Sequence, residues 1–465
     1  MISNQFTINH RGTILIDVLL AMSLAIIFIS IIAESSYTAR KSFESAQFHQ
    51  ALLNQYDRGN FISNIVPYGN DELSQSIFVP ATSSPELSFI KIYRIPDDLK
   101  IAVGTPLCAV DFSNRETIGT YGYYLSNLST STMDVSVSIT PIALPINPLL
   151  PLTDIEVRND IAYITADSAV AGDPDFLVID IKEPKNTKVI SSLNTGPGLV
   201  SLSLAGYHVY AAAPSTVGEL HSIRLNSLSN PILETRYRLP LPYATATPAL
   251  GSSIFYNAGM IYLGTEKWDG DEFSIIDVSN PSNLVKIGGY ENGSKINNIF
   301  VRGNLASFAG SGNNQFSFID IHELANMQLL GNFSPSGSGR QDGKVISYFE
   351  GRTAFGRTGG GYNIPSDHEL FTWPNRDYFD LSLLPNFTST DIAGGVYGIV
   401  QDRQRLYVAT RQLNSEFQIY DRNGLATSSS FSLPVDPETM TCDGYSLYIL
   451  AHLAPYIYKI DITKN

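Results

Sequence analysis

The stretch that decides the fold runs from Phe273 to Tyr290, FSIIDVSNPSNLVKIGGY. An apolar, β-branched run ends on Asp277, a turn is marked by Asn280 and Pro281, and a second strand-like run follows. FLVIDI at Phe176–Ile181 and FSFIDI at Phe316–Ile321 repeat the first half, and NMQLLGNF at Asn326–Phe333 repeats the second. LHSIRL, LFTWP, FQIYDR and IYKIDI are further copies, with the second and fifth units the weaker ones. Taking Asp180, Arg224, Asp277, Asp320, Pro374, Asp421 and Asp461 as reference positions, the copies recur 44, 53, 43, 54, 47 and 40 residues apart. Ahead of each lies a strand bearing an aromatic among small or apolar neighbours: Tyr163, Tyr210, Tyr262, Phe308, Phe355, Tyr407 and Tyr448.

Short strands recurring at such a period predict a β-propeller. Each unit supplies an inner apolar strand, the aromatic-bearing strand, the IIDV-type strand and usually a fourth. Seven units are present, and the last, from Glu438 to Asn465, has room for three strands. An unclosed ring leaves unpaired strand edges. The candidate to close it is DVSVSIT at Asp134–Thr140, as the outer strand of the seventh blade. The units containing FLVIDI and FSIIDVSNP resemble LVIVD repeats, a propeller family of prokaryotic surface proteins. That resemblance implies the fold and says little about function.

At the other end of the chain, Ile14–Ala33 reads ILIDVLLAMSLAIIFISIIA, 20 residues with one charge, Asp17. As a helix it is long enough to span the ~30 Å core of a bilayer. A secretory signal fits poorly, because the apolar run is too long and no small-x-small site follows it. The string Gly12-Thr13-Ile14-Leu15-Ile16-Asp17 closely resembles the N-terminus of type IV pilins and pseudopilins. The resemblance implies cleavage by a prepilin peptidase between Gly12 and Thr13 and methylation of Thr13. It places Asp17 at the fifth mature position, where the family nearly always has Glu. An acid in the first helical turn complements the helix dipole.

Helix-compatible sequence without Gly or Pro continues to Asp57. The expected organisation is therefore a leader at 1–12, a pilin-type helix at 13–59 with its transmembrane half at 14–33, a small β-rich stalk at 60–132, and the propeller at 133–465. Within the stalk, Ser76–Val79, Leu87–Ile95, Lys100–Val103, Leu107–Phe112 and Tyr121–Leu125 read as short strands. The fold class is mainly β: a seven-bladed β-propeller, closed by an N-terminal strand, on a long pilin-type α-helix.

Composition narrows the chemistry. The chain has 465 residues, 30 basic and 44 acidic, for a net charge of −14, which argues against binding to nucleic acid. Its two cysteines, Cys108 and Cys442, exclude a multi-cysteine metal site and leave open either a bridge or two separate thiols. The strand-end acids Asp180, Asp277, Asp320 and Asp461 are expected to hold turns by accepting downstream backbone N–H groups. Asp269-Gly270-Asp271-Glu272 lacks the spacing of an EF-hand and reads as an acidic hairpin tip. Histidines 208, 221, 322, 368 and 452 lack ligand spacing. Gly356–Tyr362 has no Lys, so it reads as a flexible loop or bulge and not as a phosphate loop. No metal, cofactor or catalytic residue is expected.

The two ends together imply a minor pilin or pseudopilin that displays a propeller head. The expected processing residues are Gly12, Thr13 and Asp17. The expected partners are other pilin subunits, prepilin peptidase, the cytoplasmic membrane and a surface or protein ligand of the propeller. The protein would be a single-pass membrane protein before assembly and then part of a pilus, at its tip, or of the cell surface, serving adhesion or protein–protein binding. The alternatives are a membrane-tethered propeller hydrolase working at the central channel, or a secretion pseudopilin. The inner strands, as at Ile155–Val157 and Ile299–Val301, offer few acids for hydrolysis.

Overall fold

The computed structural model describes residues 74–79, 88–93 and 135–464, apart from 169, 171, 258, 313, 336–340, 350–351, 360–367, 375–386, 403, 423–424 and 444–445. The chain divides into two compact units, Met1–Ala102 and Val103–Asn465. In the first, β1 (Ser74–Val79) and β2 (Ser88–Tyr93) form an antiparallel hairpin, matching two of the expected short strands. The leader, the expected helix at 13–59, and Gly12, Thr13 and Asp17 lie outside the described residues.

The second unit is a ring of seven four-stranded antiparallel sheets. Its inner strands are β4 (Leu152–Arg158), β8 (Ser201–Ala205), β12 (Gly251–Asn257), β16 (Ile296–Arg302), β20 (Gly343–Phe349), β24 (Val396–Gln401) and β28 (Pro437–Asp443). In blades 1 to 6 the chain then passes outward through three further strands in sequence order. Blade 7 has two, β29 (Ser446–Ala451) and β30 (Tyr456–Lys464), and takes its outer strand, β3 (Val135–Ala143), from before blade 1. β3 pairs antiparallel with β30 from Val135↔Lys464 to Ala143↔Tyr456, so the expected closure is present, and no blade edge is left open there.

The reference positions are structurally equivalent. The first residue of each second strand lies opposite one of them: Ile161↔Asp180, His208↔Arg224, Met260↔Asp277, Leu305↔Asp320, Arg352↔Pro374, Arg405↔Asp421 and Ser446↔Asp461. The aromatics are not all equivalent. Tyr163, Tyr210, Tyr262, Tyr407 and Tyr448 are third in their strands, whereas Phe308 and Phe355 are fourth. A one-residue step in a strand reverses the face. Tyr163 therefore packs on the following blade, beside Leu202 and Val209, while Phe308 packs on the preceding one, with its ring centroid 4.5 Å from that of Phe273. Phe355 does the same against Phe316, at 3.9 Å.

Because each blade is buried on both faces, the core is a set of layers between blades. Seven buried apolar clusters fill the seven interfaces, the last joining Tyr448, Leu450 and Ile457 of blade 7 to Ile155 and Ile164 of blade 1. The expected Asp turns form in three blades. Asp180, Asp277 and Asp320 accept the backbone N–H two residues on, from Lys182, Ser279 and His322, at 3.0, 2.8 and 2.8 Å. Asp461 makes no such turn, because its strand continues to Lys464 to pair with β3 and Asp461 accepts from Ser446 Oγ.

The membrane reading requires correction. Every regular element among the described residues is a strand, and no helix among them is long and apolar enough to cross a membrane. The transmembrane-helix and pilin assignments are withdrawn, and with them the cytoplasmic-membrane, pilus and cell-surface localisation and the adhesion role. The span rested on the length and hydropathy of Ile14–Ala33 and the pilin assignment on the resemblance of Gly12–Asp17, and both stretches lie outside the described residues.

Candidate functional site

Consecutive antiparallel strands place the loops between second and third strands, and the connections between blades, at the end of the ring where the inner strands begin. The second residue of the inner strand lies at this axial end. In blades 1, 3 and 4 it is Thr153, Ser252 or Asn297, and each donates to a backbone carbonyl of the next blade: Leu199, Ile296 and Gly343, at 2.7, 2.6 and 2.8 Å. These bonds stitch the blades together.

In blades 5, 6 and 7 the same position holds Lys344, Tyr397 and Glu438. They converge. Lys344 Nζ lies 3.6 Å from Glu438 Oε1, and Arg411, from the loop after the second strand of blade 6, donates to Glu438 Oε2 at 2.7 Å. His452, from the matching loop of blade 7, lies on the same Oε2, with Nδ1 at 2.5 Å. The Tyr397 ring sits between the cations, with the Arg411 guanidinium 3.8 Å and the Lys344 ammonium 5.5 Å from its centroid. Arg411 Nε also donates to Pro437 O at 2.9 Å, fixing the guanidinium over the ring. One carboxylate thus faces two permanent cations and an imidazole. The side chains remain 18–33% exposed, so the group is open to solvent.

The inner strand of blade 1 carries two more acids. Asp154 accepts from Ser201 Oγ at 2.9 Å and Leu202 N at 3.0 Å, and Glu156 accepts from Leu204 N at 3.3 Å. Burial among the inner strands raises both pKa values, Glu156 to about 7, while Lys344 acts across the ring to lower that of Asp154. Asp402 and Asp443 sit at the far ends of their inner strands and hold turns, Asp402 accepting from Gln404 N and Asp443 from Asn159 N. The expectation of few inner-strand acids is therefore corrected.

A second set of acids is structural and went unrecognised in the sequence. The residue just before the third strand is Asp175, Glu219, Glu272, Glu369 or Glu416 in five blades, each buried. Each carboxylate accepts the backbone N–H that leads into the next blade: Thr195, Leu239, Asn292, Ile392 and Leu433, at 2.7, 2.7, 2.8, 2.7 and 2.9 Å. Gln315 takes the position in blade 4 and donates to Gln341 O at 2.9 Å. An acid directly ahead of the third-strand run in five of the seven copies was the available signal.

The remaining candidates fall apart spatially. Asp269, Asp271 and Glu272 go to three separate partners, Thr247 N, Lys286 Nζ and Asn292 N, so they do not face one ion. His208 and His221 of blade 2, His322 of blade 4 and His368 of blade 5 pair separately with Glu234, Thr195, Asn304 and Ser389. His452 alone joins the axial group. No cluster of three metal-ligating side chains occurs among the described residues. Gly356 and Arg357 belong to a strand, which corrects the loop expectation there; a Cβ on Gly356 would lie 2.4 Å from Val396 Cγ1 of the next blade. Cys442 is in a disulfide, and the sequence's other cysteine, Cys108, lies outside the described residues.

No protein-family model matches the sequence, and no curated protein matches it. Solved structures do resemble the ring. A catalytically inactive virginiamycin B lyase from Staphylococcus aureus with quinupristin shares 14% identity and a TM-score of 0.51, over 70% of this chain and 99% of that one. Selenomethionine-substituted virginiamycin B lyase from the same organism (13%, TM-score 0.48, 70% and 99%) and the WD40 β-propeller domain of Doa1 (10%, 0.47, 70% and 97%) also align. At such identities the likeness concerns the fold alone. The chain is a seven-bladed β-propeller protein.

Proposed function

We propose that the protein is a non-catalytic binding propeller that takes an anionic group of its ligand at the axial end. The observation that carries this reading is the convergence of Lys344, Arg411 and His452 on Glu438 around the face of Tyr397. Two cations compete for one carboxylate, and an incoming carboxylate or phosphate can take over hydrogen bonds already aimed into the opening. Succinate, inorganic phosphate and glucuronate are suitable probes, read by thermal shift and titration calorimetry. At least one should bind the wild type, and the Lys344→Gln/Arg411→Gln variant should lose that binding at least tenfold. Equal binding by both proteins, or no binding by the wild type, refutes the reading.

A second reading, a propeller hydrolase, is supported by Glu156. A carboxyl pushed to about 7 beside Asp154 suits general acid–base work near neutral pH. Turnover of an ester, glycoside and phosphodiester panel that Glu156→Gln abolishes would favour it over pure binding.

A further inference from the structure

The axial end carries a second feature. Among the described residues the five most exposed large apolar side chains are Leu149 (86%), Leu413 (73%), Leu453 (67%), Val217 (64%) and Val170 (62%). All five lie at this one end of the ring. Leu413, Leu453, Val170 and Val217 sit in the loops between second and third strands of blades 6, 7, 1 and 2, which are consecutive around the closed ring. Leu149 lies in the connection from β3 into blade 1. The next most exposed apolar side chain, Tyr207, reaches 55% and lies in the turn between the first two strands of blade 2, at the opposite end.

The same loop in other blades provides an internal control. In blade 3 it buries its large apolar residue, Trp268, and in blade 4 it reads SGNNQ. Neither exposes an aliphatic side chain. Loop tips are ordinarily small and polar, so four aliphatic tips in adjacent blades oppose the local preference. Leu453 also sits at φ +51°, a conformation that disfavours a bulky residue. Nothing in the core uses these side chains, which are mostly in solvent.

We infer that this crescent of loop tips, from blade 6 through blade 2, docks a protein segment that brackets an acidic residue with apolar side chains. The inference rests on the anion-binding reading above and names the carrier of the anion. Charge complementarity selects a protein over the other occupants. The crescent partly encircles the Lys344–Arg411 opening, so a segment seating apolar residues on the tips can lower one carboxylate into it. A flat lipid surface would reach the tips and leave the opening unfilled. A second copy docked about a two-fold axis would set its own Lys344 and Arg411 against those of the first.

The test uses the full chain immobilised against a phage-displayed library of random dodecapeptides. Enriched peptides should combine an acidic residue with Leu, Val or aromatic neighbours. Synthetic copies should bind wild type at least tenfold more tightly than the variant Val170→Ser/Val217→Ser/Leu413→Ser/Leu453→Ser. That variant should keep the wild-type urea midpoint and the wild-type affinity for the small-anion probes. If those probes fail on the wild type, the anion-binding reading fails. If they bind but the peptides bind wild type and crescent variant alike, or no peptide is enriched, the crescent inference alone is overturned. Phosphatidylcholine vesicles that sediment wild type but not the variant would assign the crescent to lipid. A wild-type dimer in sedimentation equilibrium that the variant abolishes would assign it to self-association. Either result overturns the inference.

Discussion

Glu272→Ala tests the buried clasps that lead from one blade into the next. Glu272 is 1% exposed, and its Oε2 accepts two backbone N–H groups, Asn292 at 2.8 Å and Gly293 at 2.9 Å. Truncation leaves the buried Asn292 N–H without that acceptor, at about 1–3 kcal/mol, whereas the exposed Gly293 N–H can turn to water. Burial raises the Glu272 pKa, so part of the loss is offset by releasing a poorly solvated carboxylate. The net expectation is a destabilisation of about 1–3 kcal/mol. Glu272→Gln keeps an acceptor oxygen in place and should cost about 1 kcal/mol. Urea unfolding followed by tryptophan fluorescence is the assay. Trp268 lies in the same loop, with its indole N–H donating to Asp271 O at 2.9 Å, so it reports on the site. An Ala variant within about 0.5 kcal/mol of wild type, or a Gln variant as damaged as the Ala variant, refutes the clasp.

The other predictions concern pH, redox and packing. Burial, with Asp391 beside it, raises the Glu369 carboxyl from 4.5 to about 8. The folded state therefore holds the proton more tightly than the unfolded one. Its contribution is fully present below about pH 4.5 and is lost as pH rises towards 8, by a few kcal/mol at most. Glu369→Gln should flatten that decline in urea midpoint between pH 5 and 8, and an unchanged pH profile counts against it. Reducing the Cys442 disulfide should lower stability by about 2–4 kcal/mol, and two thiols should react with iodoacetamide in denaturant only after reduction. Alkylation without reductant would rule the bridge out. Phe308→Ala should cost about 3–5 kcal/mol by emptying the space against Phe273, whereas a loss below 1 kcal/mol would contradict the packing across blades 3 and 4.

Much of the ring was readable because a repeat fold writes its rules several times. Acids mark one register position in five of the seven copies, with Arg224 and Pro374 in the other two, and three of the acids make the same turn. DVSVSIT could be assigned to the seventh blade because the last unit lacked a strand. The aromatic register was not readable in blades 4 and 5. One residue of offset changes the blade against which Phe308 and Phe355 pack, and spacing alone does not show which face a neighbour fills. The axial group was also hidden. Lys344, Tyr397, Arg411, Glu438 and His452 span more than a hundred residues of chain and match no motif. Aligning the inner strands shows the change from Thr, Ser and Asn to Lys, Tyr and Glu at one position, but only once the strand starts are known.

The sequence by itself determined the strand type, the period, the number of blades and the strand that closes the ring, because these follow from local patterning and from the need to pair every edge. Tertiary structure decided which acids clasp the blades, which side chains meet at the axial end and which apolar loop tips stay in solvent. Those outcomes depend on ring closure, which brings blade 7 against blade 1 and sets blades 5, 6 and 7 around a common opening. Proximity across a closed ring is a property of the whole circle, and no segment of the chain encodes it alone.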